Sequence, residues 1–266
     1  MIGVFDSGVG GLTVLKALAA ELPAEHFLYL GDTARLPYGT KSAETVVRYA
    51  LQATEALCER GIECLVIACN TASAVSLPAL RERILDVPVI GVIEPGAEAA
   101  CAASHSGRIA VLATEGTVRG GAYQEAILRR RAGAKVTALA APLFVALAEE
   151  GLSEGPIAET IAHHYLDPLL AAPHGPPDTL VLGCTHFPML ARAIRGATGP
   201  EVCIVDSAQT TARHVRRTLE DAGLAARAGE GSLRLLATDA PQRFARIGSR
   251  FLERRIEPDE VELIDL

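Results

Sequence analysis

The segment CLVIACNTAS (residues 64–73) has a counterpart further along the chain in TLVLGCTHFP (residues 179–188). In each segment a short run rich in valine, isoleucine and leucine ends at a cysteine, Cys69 or Cys184, and small polar residues follow. Such a run is typical of a buried strand, and a helix-like stretch follows both segments, so each cysteine is predicted at a strand-to-helix junction. Free backbone N–H groups and the positive end of a helix dipole favour thiolate over thiol at such a place. The sequence therefore predicts two reactive thiols that serve one site from opposite sides.

Similar apolar runs occur before and after both segments and form two series. The first series consists of IGVF (2–5), HFLYLG (26–31), CLVIA (64–68) and PVIGVI (88–93). The second series consists of RIAVLA (108–113), KVTALA (135–140), TLVLG (179–183) and VCIVD (202–206). A further run, LRLLAT (233–238), predicts one more strand towards the C-terminus. Because longer helix-like segments alternate with these runs, the pattern indicates a parallel α/β fold.

The two series match in order, which indicates an internal duplication. Corresponding strands start at a nearly constant offset, and the third strand of each series ends at its cysteine. The first strand of each series ends in a polar turn, Asp6-Ser7 in one and Thr114-Glu115 in the other. We therefore predict two similar parallel-sheet α/β domains related by pseudo-two-fold symmetry.

The chain is expected to cross between the two domains after Ile93 and to return before Ser207, because turn-forming residues lie at both places. Residues 1–93 together with 207–266 would form the first domain, and residues 94–206 the second. Ligands of parallel sheets bind beyond the carboxyl ends of the strands. The active site is therefore predicted in the cleft between the domains.

Composition and charge exclude several classes of protein. The chain has 266 residues and a formal net charge of −7, which argues against a broad nucleic-acid surface. The densest basic cluster, Arg129–Arg131, is interpreted as a solvated helix end. No apolar run approaches the roughly 20 residues that span a bilayer, and we expect no secretory signal in the N-terminal MIGVFDSGVGG. Six cysteines in a chain of this length predict a reduced, cytoplasmic protein rather than a disulfide framework.

The glycine-rich segment DSGVGG (residues 6–11) follows the first predicted strand directly. Its glycines allow the backbone close to a ligand, and the next helix directs its N-terminus at the same point. Asp6 and Ser7 add a carboxylate and a hydroxyl, so we predict small-anion binding, with a tight turn that holds nothing as the alternative. A dinucleotide loop does not fit, because G-x-G-x-x-G requires glycine where Thr13 stands.

Inert burial is the alternative for both Cys69 and Cys184, since it is the common fate of a cysteine. We assign that fate to the four cysteines that lie within predicted helices or strands, which are Cys58, Cys64, Cys101 and Cys203. Zinc is disfavoured because the spacings are not Cys-x-x-Cys and His186 stands only two residues from Cys184. His186 could hydrogen-bond to Cys184 or to a substrate, much as Asp6 could serve Cys69.

Two further segments give weaker signals. Residues 37–39 fix a turn in which Tyr38 could present a phenol and Gly39 a free N–H, and a plain turn is an equal alternative. One carboxylate of Glu149 and Glu150 could line the cleft, and a helix-surface pair is the alternative.

With these residues in hand, the chain resembles the glutamate racemases of the cofactor-independent aspartate/glutamate racemase superfamily over nearly its whole length. The resemblance is carried by FDSGVGGLTV (5–14), GDTARLPYG (31–39), ACNTAS (68–73), PLFVALAEEG (142–151) and LGCTHFP (182–188). DSGVGGLTV together with PYG is more specific than the cysteine motifs, which the wider superfamily shares. The resemblance implies two α/β domains with the active site between them and no cofactor or metal.

The resemblance also implies roles for individual residues. Cys69 and Cys184 would be the two catalytic acid/bases, with Asp6 and His186 assisting proton transfer at the nearer cysteine. The implied substrate-binding residues are Asp6, Ser7, Tyr38, Gly39, Asn70, Thr71, Thr185, His186, Thr117 and Glu149. Many members have a serine near the position of Gly120, so this chain departs from the family pattern there. Two thiols on opposite walls suit racemisation, because a proton can leave one face of Cα and return to the other without a base moving.

The same resemblance implies glutamate as the small-molecule substrate and supply of D-glutamate for peptidoglycan. A homodimer is a family-level expectation, and no nucleic-acid or membrane partner is expected. Two alternatives stay open. The chain could be an aspartate racemase or another superfamily member, which relative rates on glutamate and aspartate would decide. It could also be a non-catalytic amino-acid binding protein or redox sensor, which would be stabilised by its ligand without exchanging the Cα proton.

Overall fold

The structure is a computed structural model that describes residues 1–171, 175–224 and 229–266. The strands in these residues are β1 (Ile2–Asp6), β2 (Phe27–Gly31), β3 (Cys64–Ile67), β4 (Val89–Gly91), β5 (Arg108–Ala113), β6 (Lys135–Ala140), β7 (Thr179–Gly183), β8 (Cys203–Asp206), β9 (Leu233–Ala237) and β10 (Val261–Leu263). They form a six-stranded sheet in the order β10-β9-β2-β1-β3-β4 and a four-stranded sheet in the order β6-β5-β7-β8. Every neighbouring pair is parallel.

Helices connect the strands in both sheets. They are α1 (Leu12–Glu21), α2 (Ala43–Cys58), α3 (Asn70–Arg83), α4 (Ile93–Ala103), α5 (Glu115–Gly120), α6 (Ala122–Arg130), α7 (Pro142–Glu150), α8 (Pro156–Leu170), α9 (Ala191–Thr198), α10 (Ser207–Asp221) and α11 (Pro241–Leu252). Short 3-10 helices lie at Tyr38–Thr40, Phe187–Leu190 and Pro258–Glu260. No helix in the described ranges is long and apolar enough to cross a membrane.

The two sheets repeat one topology. In strands β1–β4 and again in strands β5–β8, the spatial order is second, first, third, fourth. The central strands β1, β3 and β7 are buried along their whole length, as expected for parallel strands covered on both faces. The predicted fold of two similar parallel-sheet α/β domains is therefore confirmed.

The strands of the two sheets lie in separate blocks along the chain. Strands β1–β4, β9 and β10 form one sheet, and β5–β8 form the other. Helix α4 begins at Ile93 and buries its apolar side against residues of β5 and β7. Helix α10 begins at Ser207, where the Asp206 side chain caps it by accepting from Ala208 N–H. The boundaries 1–93 with 207–266 and 94–206 stay a prediction.

Two elements differ from the expectation. The predicted strand at residues 88–93 is limited to the three residues of β4, because α4 already begins at Ile93. Strand β10 was not predicted, since it has three residues at the sheet edge and two of them are exposed. A strand with so little buried surface leaves no apolar run in the sequence.

Candidate active site

A cavity of about 300 Å³ lies beyond the carboxyl ends of β1, β3, β5 and β7, with residues of both sheets around it. Ten residues singled out from the sequence line it: Ser7, Tyr38, Gly39, Cys69, Asn70, Thr71, Glu149, Cys184, Thr185 and His186. Asp6 and Thr117 do not line the cavity, and both are almost completely buried behind it. The strand ends therefore bring the two cysteines to one cavity from two sheets.

Cys69 is the N-cap residue of α3, as the strand-to-helix pattern predicts. Its Sγ accepts a hydrogen bond from Ala72 N–H at 3.4 Å and donates one to Ser7 Oγ at 3.6 Å. The thiol is nevertheless only 5% exposed. Burial and then the charge of Asp6 raise the pKa of Cys69 to about 12; the hydrogen bonds from Ala72 and to Ser7 act in the opposite direction, and the charge of Cys184 adds a minor increase. The N–H group at the helix terminus lowers the pKa of Cys69, as expected, but desolvation outweighs it and the protonated thiol is favoured.

The backbone N–H groups of the glycine-rich turn after β1 bind the side-chain carboxylate of Asp6, within the turn's own segment. Gly8 N–H donates to Asp6 Oδ2 at 3.0 Å, and the backbone of Gly11 also bonds this carboxylate. Burial raises the pKa of Asp6, while the charge of His186 and these N–H groups act in the opposite direction. The other oxygen, Asp6 Oδ1, is buried without a hydrogen-bond partner in the described part of the chain.

Cys184 lies in a different setting from Cys69. Thr185 and His186 follow it, and then a short 3-10 helix rather than an α-helix begins at Phe187. Cys184 Sγ lies 3.8 Å from His186 Nδ1, and Thr185 Oγ1 lies 3.5 Å from the same nitrogen. Cys184 therefore has the imidazole of His186 beside it, and not the α-helix N-terminus that the sequence predicted.

His186 connects Cys184 with Glu149. Its Nε2 lies 3.2 Å from Glu149 Oε1, and Glu149 Oε2 accepts from Arg243 at 2.8 Å. Burial lowers the pKa of His186, but hydrogen bonds and charges from Cys184 and Glu149 outweigh this and raise it to about 10. The imidazole is therefore positively charged at neutral pH. Of the two candidate carboxylates, Glu149 faces the cavity, whereas Glu150 is exposed.

Asn70 offers an unused donor at the cavity wall. Its Oδ1 accepts from the buried Tyr123 hydroxyl at 2.8 Å. This bond fixes the amide, and Asn70 Nδ2 is left buried without a hydrogen-bond partner among the described residues. An unpaired buried N–H group is costly, so its presence at a cavity indicates a ligand acceptor.

Three hydroxyls form a cluster at the same wall. Thr71 Oγ1 lies 3.0 Å from Thr114 Oγ1 and 3.3 Å from Thr117 Oγ1, and the last two lie 3.0 Å apart. Thr114 also caps α5 by accepting from Thr117 N–H. Sequence reasoning did not select Thr114 as a site residue, although its turn after β5 matches Asp6-Ser7 after β1. Glu115, Pro142 and Val145 also line the cavity and were missed.

Tyr38 lines the cavity, but its phenol is already engaged. The hydroxyl donates to Asp32 Oδ2, which also accepts from Arg35 Nε at 2.7 Å. Burial and the Asp32 charge raise the pKa of Tyr38. The phenol that this turn could present to a ligand is therefore already bonded to Asp32, and Gly39 beside it lines the cavity.

Close contacts join the two halves around the cavity. Thr13 Oγ1 donates to the Thr185 carbonyl oxygen at 3.0 Å. A Cβ at Gly10 would lie 2.4 Å from Thr185 Oγ1 and 2.5 Å from His186 Nδ1. A Cβ at Gly39 would lie 2.9 Å from the Thr114 Cβ. The backbone of one half thus approaches the other half at positions where a side chain does not fit.

The remaining cysteines contribute nothing to the cavity. All six cysteines are free thiols. Cys64 is buried and Cys58 and Cys101 are half-buried, but Cys203 is exposed. The expectation that Cys203 is buried is therefore wrong, because β8 is an edge strand and its first residue faces solvent. No cluster of three or more His, Cys, Asp or Glu side chains suited to a metal ion occurs in the part of the chain that the structure describes.

Known proteins share both this sequence and this fold. Residues 2–215 match the family model for Asp/Glu/Hydantoin racemase. A glutamate racemase of Geobacter metallireducens is 51% identical over 252 residues, which are 94% of this chain and 92% of that protein. The glutamate racemase isoform RacE1 from Bacillus anthracis superimposes with a TM-score of 0.94 at 37% identity, covering 100% of this chain and 97% of that one. A Francisella tularensis glutamate racemase in complex with D-glutamate gives a TM-score of 0.91 at 32% identity, covering 99% and 97%.

The fold, the cavity between two parallel sheets and these matches define an amino-acid racemase. The chain belongs to the Asp/Glu/hydantoin racemase family and, within it, to the glutamate racemases. The resemblance drawn from the sequence motifs is thereby confirmed.

Proposed function

We propose that this enzyme interconverts L- and D-glutamate without a cofactor, by two-base proton transfer between Cys69, Cys184 and Cα of the substrate. The observation that carries the proposal is the pair of thiols, which face one cavity from equivalent strand ends of two sheets. The charge of Cys184 also acts on the pKa of Cys69, so the two sulfurs are close enough to influence each other. The resemblance to a relative crystallised with D-glutamate supports the substrate.

The proposed reaction uses one thiolate and one thiol at a time. The family resemblance implies that, with L-glutamate, the Cys184 thiolate takes the Cα proton, and the electron pair of the broken C–H bond stays on the substrate as a carbanion. The Cys69 thiol then gives its proton to the opposite face of Cα. The enzyme is left with a Cys184 thiol and a Cys69 thiolate, which is the form that accepts D-glutamate.

The surroundings of each sulfur support its use as an acid or a base. The positively charged His186 stabilises negative charge on Cys184. On the other wall, Cys69 has its pKa raised to about 12, so its thiolate is a strong base once it forms. A Cα proton is only weakly acidic, so its pKa lies far above that of an ordinary thiol. A stronger base reduces this difference in pKa. We infer that Asp6 contributes here by its charge, since it does not line the cavity.

Donors at the cavity wall suit a substrate with carboxylates. Asn70 Nδ2 is the unpaired donor, and the hydroxyls of Thr71 and Thr185 also line the cavity. Such groups aimed at the α-carboxylate would stabilise the charge that develops when Cα loses its proton. Ser7, Tyr38, Gly39, His186, Thr117 and Glu149 complete the proposed binding set, with Thr117 acting through its hydrogen bond to Thr71.

Cell-level roles follow from the family resemblance rather than from the geometry. We infer a cytoplasmic enzyme that supplies D-glutamate for peptidoglycan. Six free thiols support a reducing compartment. A homodimer stays a prediction.

The first experiment is proton NMR of L-glutamate and, separately, D-glutamate with the reduced protein in D2O, without added cofactor or metal. Loss of the Cα proton signal together with inversion is the expected result. Faster reaction with aspartate than with glutamate would favour an aspartate racemase. Stabilisation by glutamate without any loss of the Cα signal would indicate a binding protein and overturn the proposal.

A further inference from the structure

Two arginines of α11 hold Glu149 from across the cleft. Arg243 Nη2 donates to Glu149 Oε2 at 2.8 Å, and Arg250 Nη2 donates to the Glu149 backbone carbonyl. Glu149 lies in the last turn of α7, which follows strand β6 of the four-stranded sheet. Helix α11 lies between β9 and β10 of the six-stranded sheet. These contacts therefore join the two halves of the molecule.

The end of α7 is shaped to admit Arg250. Gly151 caps this helix with a φ of 75°, and a Cβ at that position would lie 2.2 Å from Arg250 Nη1. A larger residue would be strained in its backbone and would also collide with the guanidinium. Glycine thus allows α11 to reach the carbonyl groups that end α7, where a cation is favourable.

Among the described residues, hydrogen bonds connect the Glu149 carboxylate to only one of the two thiols, that of Cys184. While Oε2 of Glu149 accepts from Arg243, Oε1 lies 3.2 Å from His186 Nε2. His186 Nδ1 in turn lies 3.8 Å from Cys184 Sγ. In the described residues, the hydrogen bonds of Cys69 Sγ go to Ser7 and Ala72, so no such series reaches it.

We propose that Arg243 is a positioning residue for the Cys184 half of the reaction, because it holds the Glu149 carboxylate against His186 from the opposite domain. The inference rests on the proposed two-base function. Glu149 is 16% exposed in its side chain, so without Arg243 one of its oxygens would have only solvent to bind. The carboxylate could then turn away from the imidazole, and proton transfer at Cys184 would slow while the surroundings of Cys69 stayed unchanged.

Ordinary rate constants do not report which half of the reaction slows. The two enantiomers of glutamate have equal free energies, so kcat/KM must be the same in both directions for every variant. The isotope effect of deuterium at Cα separates the halves. Measured in H2O, it reports proton removal by Cys184 when the substrate is L-[2-²H]glutamate and removal by Cys69 when it is the D-isomer.

The test compares the wild-type enzyme with Arg243→Gln. We expect kcat/KM to fall about tenfold in both directions, as for a group that orients a catalytic residue. We also expect the isotope effect to rise with the L-isomer, because its first step is slowed, and to fall with the D-isomer. Arg243→Lys keeps the charge and should recover part of the rate and of the wild-type isotope effects.

Arg246→Gln is the matched control. Arg246 is exposed on the same helix and makes no ion pair within the described ranges, so its replacement should leave rates and isotope effects unchanged. Unchanged kinetics of Arg243→Gln, or isotope effects that move together for both isomers, would overturn the inference while the proposed function stands. Wild-type protein that fails to exchange the Cα proton would instead overturn the proposed function, and the inference with it.

Discussion

The two walls of the cavity are alike in topology and unlike in chemistry. Each wall presents a cysteine at the end of the third strand of its series. On the first wall, Cys69 caps α3 and meets a backbone N–H, a serine hydroxyl and, behind them, the buried Asp6. On the second wall, Cys184 lies beside a positively charged imidazole that is held by a carboxylate.

This difference shows that a duplicated fold fixes where two thiols stand but not how each is supported. The charge of Asp6 behind Cys69 favours the protonated thiol there, whereas on the other wall Cys184 and Glu149 favour the protonated imidazole of His186. A two-base racemase needs one thiol and one thiolate at the same time. The proposed reaction therefore suits unlike walls, because one sulfur must give a proton while the other takes one.

The largest expected effect comes from removing either thiol. Cys69→Ser and Cys184→Ser should each lower the rate of inversion by about 10²–10⁴-fold. A serine hydroxyl is a much weaker acid than a thiol, so it cannot serve as acid in one direction and as base in the other. In D2O, Cys184→Ser should still exchange the Cα proton of D-glutamate, and Cys69→Ser that of L-glutamate. Proton NMR of each isomer measures both quantities. If both variants lost exchange equally with both isomers, the proposal that each cysteine acts on one face of the substrate Cα would be wrong.

The next largest effect should come from the glycine that brings the walls together. Gly10→Ala would place a Cβ against Thr185 and His186, so we expect destabilisation of about 1–3 kcal/mol and slower turnover. Gly39→Ala, which meets a Thr114 methine at a longer distance, should cost less. Urea unfolding and kcat/KM check both. Gly133→Ala, which meets nothing within 4 Å, is the control, and equal losses in all three variants would contradict this view of the interface.

A pH-dependent stability difference should belong to the Cys184 wall. The pKa of His186 is raised to about 10 in the folded protein, from about 6.5 in an unfolded chain. The folded state therefore binds this proton more tightly, and the resulting stabilisation is fully present below about pH 6.5 and lost as the pH rises through 10.

Thermal unfolding of wild-type protein and His186→Gln measures this directly. The difference in Tm should be largest at pH 6 and should shrink towards pH 10. His163→Gln removes an exposed histidine paired with Asp167 and should give little difference at any pH. A Tm difference for His186→Gln that grows with pH would show that the imidazole is neutral in the folded state.

The smallest effect concerns the donor on the first wall. Tyr123→Phe removes the hydroxyl that fixes the Asn70 amide, so KM should rise about fivefold with little change in kcat. Tyr165→Phe is the control, since that hydroxyl meets the Leu143 N–H at the protein surface. Steady-state kinetics in both directions gives the answer. A fall in kcat at unchanged KM would move Asn70 from substrate binding to the chemical step.

The parts of the fold that could be predicted are those that leave a pattern in a short stretch of sequence. Buried parallel strands leave continuous apolar runs, and two matching series of runs therefore predict two matching sheets. The cysteines were found because each follows such a run directly. Thr114 could have been found in the same way, since its turn corresponds to Asp6-Ser7 in the other series.

The remaining features depend on how the two halves meet, which no local pattern contains. The Cys184 charge, which contributes to the raised pKa of Cys69, comes from the other sheet. Arg243 and Arg250 lie in a helix far from Glu149 in sequence, and nothing in their spacing marks them as neighbours of the site.

The place of β9 in the first sheet has a consequence for how the protein is made. Along its whole length, β9 pairs with β2, and it separates β2 from β10. Synthesis begins at the N-terminus, so the second sheet has all its strands once Asp206 has left the ribosome. The first sheet begins earlier but must wait, with one edge of β2 unpaired, until residues 233–237 follow. The two walls of the cavity are therefore completed at different times, and the wall that carries Cys69 is finished last.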